Sequence, residues 1–235
     1  MTAMRGPFSV GIIMDGNRRW AKAAGRPQLE GHEAGKDVLL RMFDDYRDIR
    51  EKWGTAHYIF YTFSTENWNR SIEEVGHLMG IFERAFNKVA ERLPRLLEDG
   101  VQVRFIGERS RFSQKLQDLM NELEQKTTAG TKGTMAFAVS YGGRSDILQA
   151  VNRLIVEDRD GVSAEDISAK LWTNGIPDPD LIIRTGGEER LSNFLSWESV
   201  YSELSFIDTL WPDFSREKLE ELFTNFASRE RRRGK

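Results

Sequence analysis

The 235-residue chain is 39% hydrophobic and 30% charged, which fits one globular domain with a substantial core. Its net charge of −3 excludes a general attraction to nucleic acid or anionic lipid, so any anion must be bound by a local cluster of cations. The absence of cysteine excludes disulfides and thiolate metal sites. Only about five apolar residues precede Asp15, too few for a signal peptide core, and we therefore expect a cytoplasmic protein.

β-rich segments alternate with amphipathic helical segments along the whole chain. The pattern predicts strands at 9–14, 57–63, 101–107, 134–141 and 180–187, and helices at 33–53, 73–98, 109–128, 143–157 and 215–229. Such alternation favours an α/β fold, a single domain over residues 1–235 with a mainly parallel central sheet surrounded by helices. Ligands of these sheets bind beyond the carboxyl ends of the strands, so polar clusters that follow separate strands should meet at one edge.

The first such cluster is GIIMDGNRRW, residues 11–20. The backbone N–H groups of 16–19 would lie at a helix N-terminus, and Arg18 and Arg19 add donors suited to phosphate. Asp15 would repel that phosphate unless a divalent cation lay between them, which indicates metal-diphosphate binding. The alternative is a plain Asp-Gly turn followed by solvated arginines.

The second cluster, FSTENWNR at 63–70, follows the second predicted strand. Ser64 with Asn67 or Glu66 could simply cap the helix that follows. Capping leaves Trp68 and Arg70 unexplained, and these residues suit a lid over a ligand with an apolar tail and a charged head.

The third cluster, IIRTGGEERLSNF at 182–194, again follows a predicted strand. Arg184, Arg190 and the hydroxyl of Ser192 flank two glycines, which allow the backbone to approach a ligand closely. An ordinary turn remains the alternative. A second anion site at the same edge indicates that two phosphorylated substrates bind side by side.

The segment FDDYRD at 43–48 contains the DDxxD spacing with which trans-type prenyl synthases hold magnesium. We interpret it differently, because Asp44 and Asp48 lie opposite the apolar stripe of their helix and beside Arg47 and Arg50. A solvated, charge-balanced face is the expected structure.

Six motifs, all in order, identify a resemblance to a known family: MDGNRRW, GH followed by AG at 31–35, FSTENWNR, YGGR at 141–144, RTGGEERLSNF and LWPDF at 210–214. Together they resemble the cis-prenyltransferases, which include undecaprenyl and dehydrodolichyl diphosphate synthases. The resemblance runs from about residue 11 to the C-terminal RERRRGK. It implies Mg²⁺-dependent condensation of isopentenyl diphosphate onto an allylic prenyl diphosphate, with each new double bond cis, to make a long-chain polyprenyl diphosphate.

The resemblance also implies a role for each matching residue. Asp15 is the essential metal-associated acid, and Glu203 is a second carboxylate near the metal. Ser64 and Asn67 help to remove the proton, and Trp68 and Arg70 belong to a mobile loop that closes on the substrate. The allylic diphosphate site is formed by Gly16, Asn17, Arg18, Arg19, Trp20 and His32, and the isopentenyl diphosphate site by Arg184, Arg190 and Ser192.

Three positions depart from the family pattern. Gln28 stands where bacterial members have an arginine on the allylic diphosphate, a contact that Arg26 is placed to replace. Arg18 replaces a glycine common in bacterial synthases, and Glu189 stands where some of them have histidine.

The growing chain needs an apolar tunnel, and the resemblance suggests that residues of 73–98 line it together with the 134–140 strand. The tunnel candidates in 73–98 include Leu78, Met79, Phe82 and Phe86. Ordinary core packing explains the same apolar residues equally well. The family forms homodimers whose tail reaches the partner's site, and Arg232-Arg233-Gly234 matches that tail. A basic tail that contacts membrane phosphates is the competing interpretation, and both can hold.

Two other classes of function fit the sequence less well. A phosphatase with Asp15 as nucleophile would want a second Asp two residues on, where the chain has Asn17. An accessory polyprenyl-binding subunit would lack the acidic residue and the loop residues that this chain contains. An RNA-binding module would depend on the short RERRRGK tail alone, which is weak support.

Overall fold

A computed structural model describes residues 7–157 and 161–229. Within that part of the chain, six parallel strands form one sheet in the order β3-β4-β2-β1-β5-β6. The strands are β1 (Phe8–Ile13), β2 (Thr55–Ser64), β3 (Val101–Ile106), β4 (Gly133–Tyr141), β5 (Leu181–Arg184) and β6 (Glu203–Phe206). The predicted parallel α/β architecture is confirmed. That the entire chain 1–235 forms a single domain stays a prediction.

Helices cover both faces of the sheet. They are α1 (Asn17–Ala23), α2 (Gln28–Trp53), α3 (Ile72–Glu91), α4 (Leu93–Asp99), α5 (Gln114–Thr127), α6 (Gly143–Val156), α7 (Ala164–Lys170) and α8 (Arg216–Ala227). Every residue of β1 and of β4 is buried, because parallel strands between two helical layers have no solvated face. Their sequences are therefore near-continuous apolar runs.

The larger of the two cores lies between the sheet and helices α2, α3, α5 and α8. It is rich in aromatic rings: Phe137 of β4 packs against Phe60, Phe86 and Phe105 at centroid distances of 5.2 to 5.9 Å. The smaller core on the opposite face contains Ile13, Ile59 and Ile182 from the three central strands. Both cores fix the central strands whose ends carry the polar clusters.

Several elements differ from the sequence predictions: α2 begins at Gln28 rather than at 33, α7 was not predicted, and three further differences have clear physical reasons. β6 was not predicted, because the edge strand ELSF is only four residues long and none of its residues is fully buried. The predicted helix 73–98 is divided into α3 and α4, and Pro94 lies in the first turn of α4, where a missing N–H is tolerated. The predicted helix 109–128 begins at Gln114, where the side chain of Ser113 caps the first turn.

The DDxxD segment forms the solvated face that was expected. Asp44 accepts two hydrogen bonds of 2.8 Å from Arg92, and Asp48 accepts one of 3.2 Å from Arg216. The partners come from other helices rather than from the neighbouring Arg47 and Arg50.

Over residues 7–157 and 161–229, no helix has the length and apolar character needed to cross a bilayer. The predicted dimer tail, Arg232-Arg233-Gly234, lies outside the described residues.

Candidate active site

The three polar clusters follow neighbouring central strands. β1 lies between β2 and β5, with Ile13 beside both Tyr61 and Arg184. Because all three strands run in the same direction, Asp15, Ser64 and Arg184 lie at one edge of the sheet. The convergence that the sequence predicts is therefore built by the strand order.

An ion pair joins the first and third clusters. A carboxylate oxygen of Asp15 accepts a 2.8 Å hydrogen bond from Arg184 Nη2, and its other oxygen lies 3.3 Å from Arg19 Nη2. The Arg184 side chain is only 5% exposed and also donates to Ser192 Oγ, 2.8 Å away, and to the backbone oxygen of Arg190. One buried guanidinium thus orients Asp15 and the 190–192 loop together.

The backbone of Asp15 is held by Thr185, which is fully buried. Asp15 N donates to Thr185 Oγ1 over 2.9 Å, and Thr185 Oγ1 donates to the Asp15 carbonyl over 2.7 Å. Arg19 donates to the carbonyl of Gly186 on the same segment. These bonds fix the turn between β1 and α1 against the end of β5.

The GH and AG pair at 31–35 is explained by close packing of α2 on Asn17. A Cβ on Gly31 would lie 2.0 Å from the Asn17 carbonyl oxygen, and one on Gly35 would lie 2.3 Å from Asn17 Oδ1. Any larger residue would displace Asn17, so these glycines set the distance between the first turn of α1 and α2.

Gln28 forms a hydrogen bond with Arg18, another candidate residue of the site. Its Oε1 accepts a 3.1 Å hydrogen bond from Arg18 Nε. Arg26 lies over the ring of Trp20, 5.6 Å from its centroid, and pairs with Glu30 at 3.8 Å. Gln28 therefore orients Arg18, and Arg26 is not among the residues that line the cavities.

The segment after β2 forms a short 3-10 helix, Thr65–Asn69, whose first turn uses Ser64 and Asn67 as a capping box. Asn67 Oδ1 accepts a 2.9 Å hydrogen bond from Ser64 N. The capping alternative is thus present in the structure. Ser64 and Asn67 nevertheless line the same cavity as Asp15.

His32 and Arg70 meet at Glu74 of α3. Arg70 Nη1 donates to Glu74 Oε1 over 2.9 Å, and His32 Nε2 lies 3.5 Å from the same oxygen. Burial, followed by the positive charge of Arg70, lowers the pKa of His32 below its ordinary value. The imidazole is consequently neutral near pH 7.

Two polar cavities open at this edge. One of about 460 Å³ is lined by residues of all three clusters: Asp15, Asn17, His32, Ser64, Asn67, Arg70, Arg184 and Ser192 are among them. A second, of about 420 Å³, is lined by Asp15, Gly16, Asn17, Arg18, Arg19, Lys22, His32 and Arg70 among others. Their described linings together hold five arginine or lysine side chains, against the carboxylates of Asp15 and Glu66. This excess of positive charge favours anionic ligands.

A narrow apolar pocket of about 80 Å³ continues from these cavities between α2 and α3. It shares Tyr61, Thr62 and Leu78 with the 460 Å³ cavity and extends to Phe82, Ala85 and Phe86. A ligand with an anionic head and an apolar tail fits this arrangement.

Comparison with known proteins agrees with the geometry. The family model described as putative undecaprenyl diphosphate synthase matches residues 13–234. The chain belongs to that family.

Two relatives illustrate the similarity to this chain. It is 41% identical over 229 residues to the isoprenyl transferase of Chromobacterium violaceum, covering 97% of this chain and 88% of the relative. It is 43% identical to the Pseudomonas putida ditrans,polycis-undecaprenyl-diphosphate synthase, which is described as specific for (2E,6E)-farnesyl diphosphate, with 97% and 91% covered.

Two solved structures share the fold over nearly their whole length. The lavandulyl diphosphate synthase of Lavandula x intermedia, in complex with dimethylallyl diphosphate, superposes with a TM-score of 0.88 at 31% identity, covering 97% of this chain and 98% of that one. A probable undecaprenyl diphosphate synthase from Campylobacter jejuni gives 0.78 at 27% identity, with 99% and 100% covered. The chain is a prenyl transferase, and the phosphatase and RNA-binding alternatives are not supported.

The structure of this prenyl transferase does not bring every predicted residue to the cavities. The ring of Trp68 packs against Phe63 and Phe112 at 4.9 and 5.4 Å and donates to Ser140 Oγ over 2.9 Å, so it lies beneath the segment rather than over a ligand. Trp20 donates to Asp213 over 2.7 Å, away from the lining. Arg190 contributes its backbone oxygen to Arg184, while its exposed side chain pairs with Glu188.

Glu203 is the clearest difference between prediction and structure. It lies at the start of β6, level with Leu181 and Val10, and its carboxylate pairs with Arg229 at 3.1 Å. Ile13, the last residue of β1, lies three residues or roughly 10 Å beyond Val10 along the strand direction, and Asp15 follows in the turn after it; β5 also separates β6 from β1. Glu203 therefore does not reach Asp15 within one chain, and the described residues contain no group of three or more His, Asp or Glu placed to hold a metal.

Sequence reasoning missed several side chains that shape the cavity of this prenyl transferase. Tyr61 donates to the Ser192 carbonyl over 3.1 Å, and Glu66 and Asn193 line the 460 Å³ cavity. Glu66 and Asn193 belong to the FSTENWNR and RTGGEERLSNF motifs, but their residue types alone suggest capping or a turn. Only the spatial meeting of two loops reveals their place.

Proposed function

We propose that this prenyl transferase carries out Mg²⁺-dependent, sequential cis-condensation of isopentenyl diphosphate onto an allylic prenyl diphosphate, giving a long-chain polyprenyl diphosphate. The observation that carries the proposal is the meeting of three loops around two cationic cavities that continue into an apolar pocket. A reaction between two diphosphates with a growing hydrocarbon tail needs all three parts.

The 420 Å³ cavity is our candidate for the allylic diphosphate. Arg18, Arg19 and Lys22 line it, and Gln28 fixes the direction of Arg18. Gly16 has a φ of 109°, in the left-handed region, and its carbonyl accepts the first bond of α1 from Trp20 N. Guanidinium and ammonium groups on the leaving diphosphate stabilise the negative charge that develops as the allylic C–O bond breaks.

Isopentenyl diphosphate is assigned to the neighbouring 460 Å³ cavity, beside Arg184 and Ser192. The exposed guanidinium of Arg190 is 61% accessible and could turn toward a bound diphosphate, leaving Glu188. Burial raises the pKa of Tyr61, so this phenol stays protonated and keeps its hydrogen bond to the Ser192 carbonyl.

Magnesium fits the 420 Å³ cavity as an ion that arrives with the allylic diphosphate. Mg²⁺ is usually held by one or two carboxylates together with phosphate and water oxygens, and Asp15 is the carboxylate shared by both cavities. The bound ion would supply charge neutralisation to the departing diphosphate. Arg19, only 3.3 Å from Asp15, already holds the carboxylate toward that space.

Removal of the proton that isopentenyl diphosphate loses during condensation is assigned to the Ser64 and Asn67 pair. Both line the 460 Å³ cavity together with Arg184, and their capping bonds hold them in one orientation. In this arrangement the Ser64 hydroxyl takes up the proton as it passes its own proton to a diphosphate oxygen, and the Asn67 carboxamide orients Ser64. The apolar pocket between α2 and α3 is the candidate start of the tunnel that takes up the chain.

A homodimer is the proposed assembly. Among the described residues, β6 forms one edge of the sheet, and Val200, Tyr201 and Leu204 beside it are 72%, 81% and 41% exposed. An unpaired edge strand with exposed apolar side chains favours burial against a second copy. We place the reaction in the cytoplasm, consistent with a chain that lacks cysteine, with peripheral contact to a membrane for product release.

The function is tested by incubating the protein with labelled isopentenyl diphosphate, Mg²⁺ and geranyl, farnesyl or geranylgeranyl diphosphate, and sizing the dephosphorylated products. We expect a series of products that differ by five carbons and disappear when the metal is chelated. Products that stop after a single condensation with every primer, or no product with any primer, would contradict the proposal.

A further inference from the structure

Three segments of the chain meet at Asn193, beside the candidate cavity. The Asn193 Nδ2 donates to Glu66 Oε1 over 3.0 Å, and Asn193 Oδ1 accepts from the backbone N–H of Arg144 over 2.9 Å. The Asn193 carbonyl also accepts from Gly143 N over 2.7 Å. One residue thus connects the 3-10 helix Thr65–Asn69, the start of α6 and the loop after β5.

The backbone around Asn193 is shaped for this role. Ser192, Asn193 and Leu195 have φ values of 49°, 66° and 46°, in the left-handed region that non-glycine residues rarely adopt. Asparagine tolerates that region better than most residues. The conformation turns the Asn193 side chain toward Glu66 and leaves Ser192 facing Arg184.

Gly142 shows how closely the segments approach. A Cβ at Gly142 would lie 2.5 Å from Asn193 Nδ2 and 2.8 Å from Thr65 Oγ1. Thr65 Oγ1 in turn donates to the second oxygen of Glu66 over 3.0 Å. The YGGR motif therefore leaves room for the meeting of the two loops.

We propose that Asn193 is a positioning residue that holds the Ser64–Asn67 turn and the Ser192 loop at a fixed separation across the cavity. This inference rests on the proposed function for the roles of Ser64, Asn67 and Ser192. A condensation requires its two reactants to be aligned within a fraction of an ångström, and both walls of the cavity are connected through the bond from Asn193 to Glu66. This bond joins two side chains and involves no strand of the sheet. It therefore sets the separation of the two loops without stabilising the hydrophobic core.

A polarity swap tests the proposal. Asn193→Asp keeps an acceptor for the Arg144 N–H but faces the Glu66 carboxylate with a second negative charge. Glu66→Gln keeps an acceptor for Asn193. In the Asn193→Asp/Glu66→Gln double variant the hydrogen bond reforms in the opposite direction, from the Gln amide to the Asp carboxylate. Asn193→Gly, which adopts the same φ without strain, removes the side chain altogether.

We expect Asn193→Asp and Asn193→Gly to lower kcat/KM for isopentenyl diphosphate about tenfold, with a raised KM and a melting temperature close to that of the wild type. Glu66→Gln should lower kcat/KM less than Asn193→Asp does, and the double variant should recover most of the loss caused by Asn193→Asp. The control Asn225→Asp, on the exposed face of α8, should have no effect.

The inference would be overturned if Asn193→Asp lost activity and the added Glu66→Gln did not restore it. Unchanged kinetics in both Asn193 variants would also overturn it. Hydrogen exchange gives a readout that needs no turnover: Asn193→Gly should speed amide exchange in 64–69 and 192–196 together. Exchange that rises in 192–196 alone contradicts the connection, even if the wild type makes no polyprenyl product. A wild type without product but with coupled exchange would instead count against the proposed function alone.

Discussion

The Asp15 carboxylate lies 2.8 Å from Arg184 Nη2, although 169 residues separate the two along the chain. Arg184 is one of the few charged residues buried in the described part of the protein, at 4% exposed. Since β1 and β5 pair in parallel with Ile13 beside Arg184, the contact follows directly from the topology of the sheet. It makes Asp15 common to both cavities and both proposed diphosphates.

Replacing this carboxylate should remove elongation while leaving the fold intact. We expect Asp15→Ala to lower the elongation rate at least about 100-fold, because it removes the proposed metal contact and frees Arg184 from its partner. The measurement is incorporation of labelled isopentenyl diphosphate, with circular dichroism to confirm folding. Asp118→Ala, on the exposed surface of α5, is the matched control, and substantial product from Asp15→Ala would count strongly against the site.

His32 should make the stability of the protein depend on pH. Burial and Arg70 lower its folded-state pKa below the unfolded value near 6.5, so the unfolded chain binds more protons once the pH falls below that value. The resulting stability is complete above about pH 6.5 and is lost as the pH falls toward the folded pKa.

Chemical denaturation of wild type and His32→Gln between pH 7.5 and 5 measures this effect. The advantage of the wild type over the variant should shrink as the pH falls. An NMR titration should place the His32 pKa below that of free histidine; a value above it would refute the burial argument.

Gly35 should tolerate no side chain. A Cβ there would meet Asn17 Oδ1 at 2.3 Å and Trp211 at 2.8 Å, so Gly35→Ala forces α2 away from the first turn of α1. We expect a loss of about 1–3 kcal/mol in unfolding free energy, measured in urea, together with reduced activity. Gly76→Ala is the control, because a Cβ at that position of α3 meets nothing within 4 Å and alanine favours helix. Equal stability of the two variants would exclude close packing at Gly35.

Filling the apolar pocket should shorten the product. Ala85 of α3 lines the 80 Å³ pocket, and Ala85→Phe would occupy much of that volume. We expect shorter polyprenyl chains with the first condensation retained, as seen by chromatography of dephosphorylated products. Ala129→Phe, in an exposed turn, should leave the product distribution unchanged. An unaltered distribution in Ala85→Phe would show that the chain follows another path.

The sequence was informative wherever burial is strong. The central strands could be predicted because both of their faces are covered, which makes their residues continuously apolar. The meeting of the polar clusters at one edge could be predicted because parallel strands all run in the same direction. β6 was missed because an edge strand carries a weaker pattern, and Pro94 was not interpreted as a helix boundary.

Side-chain directions in the site were less predictable. Trp68 and Trp20 lie in motifs that match a family, yet their rings point to Ser140 and Asp213, which no spacing rule indicates. Glu203 was expected near Asp15, but the register of β6 against β5 sets it toward the opposite end of the strand. Contacts between residues more than 100 positions apart, such as Glu66 with Asn193, depend on tertiary packing and carry no local signal.

The central claim is that three distant loops hold two diphosphates at one edge of the sheet. Hydrogen exchange in the presence of Mg²⁺, isopentenyl diphosphate and a slowly reacting farnesyl thiodiphosphate tests it most directly. We predict joint protection of residues 15–19, 64–70 and 184–193 when both ligands are bound. Protection limited to one of these segments, or found instead around 212–219 between α2 and α8, would contradict the account.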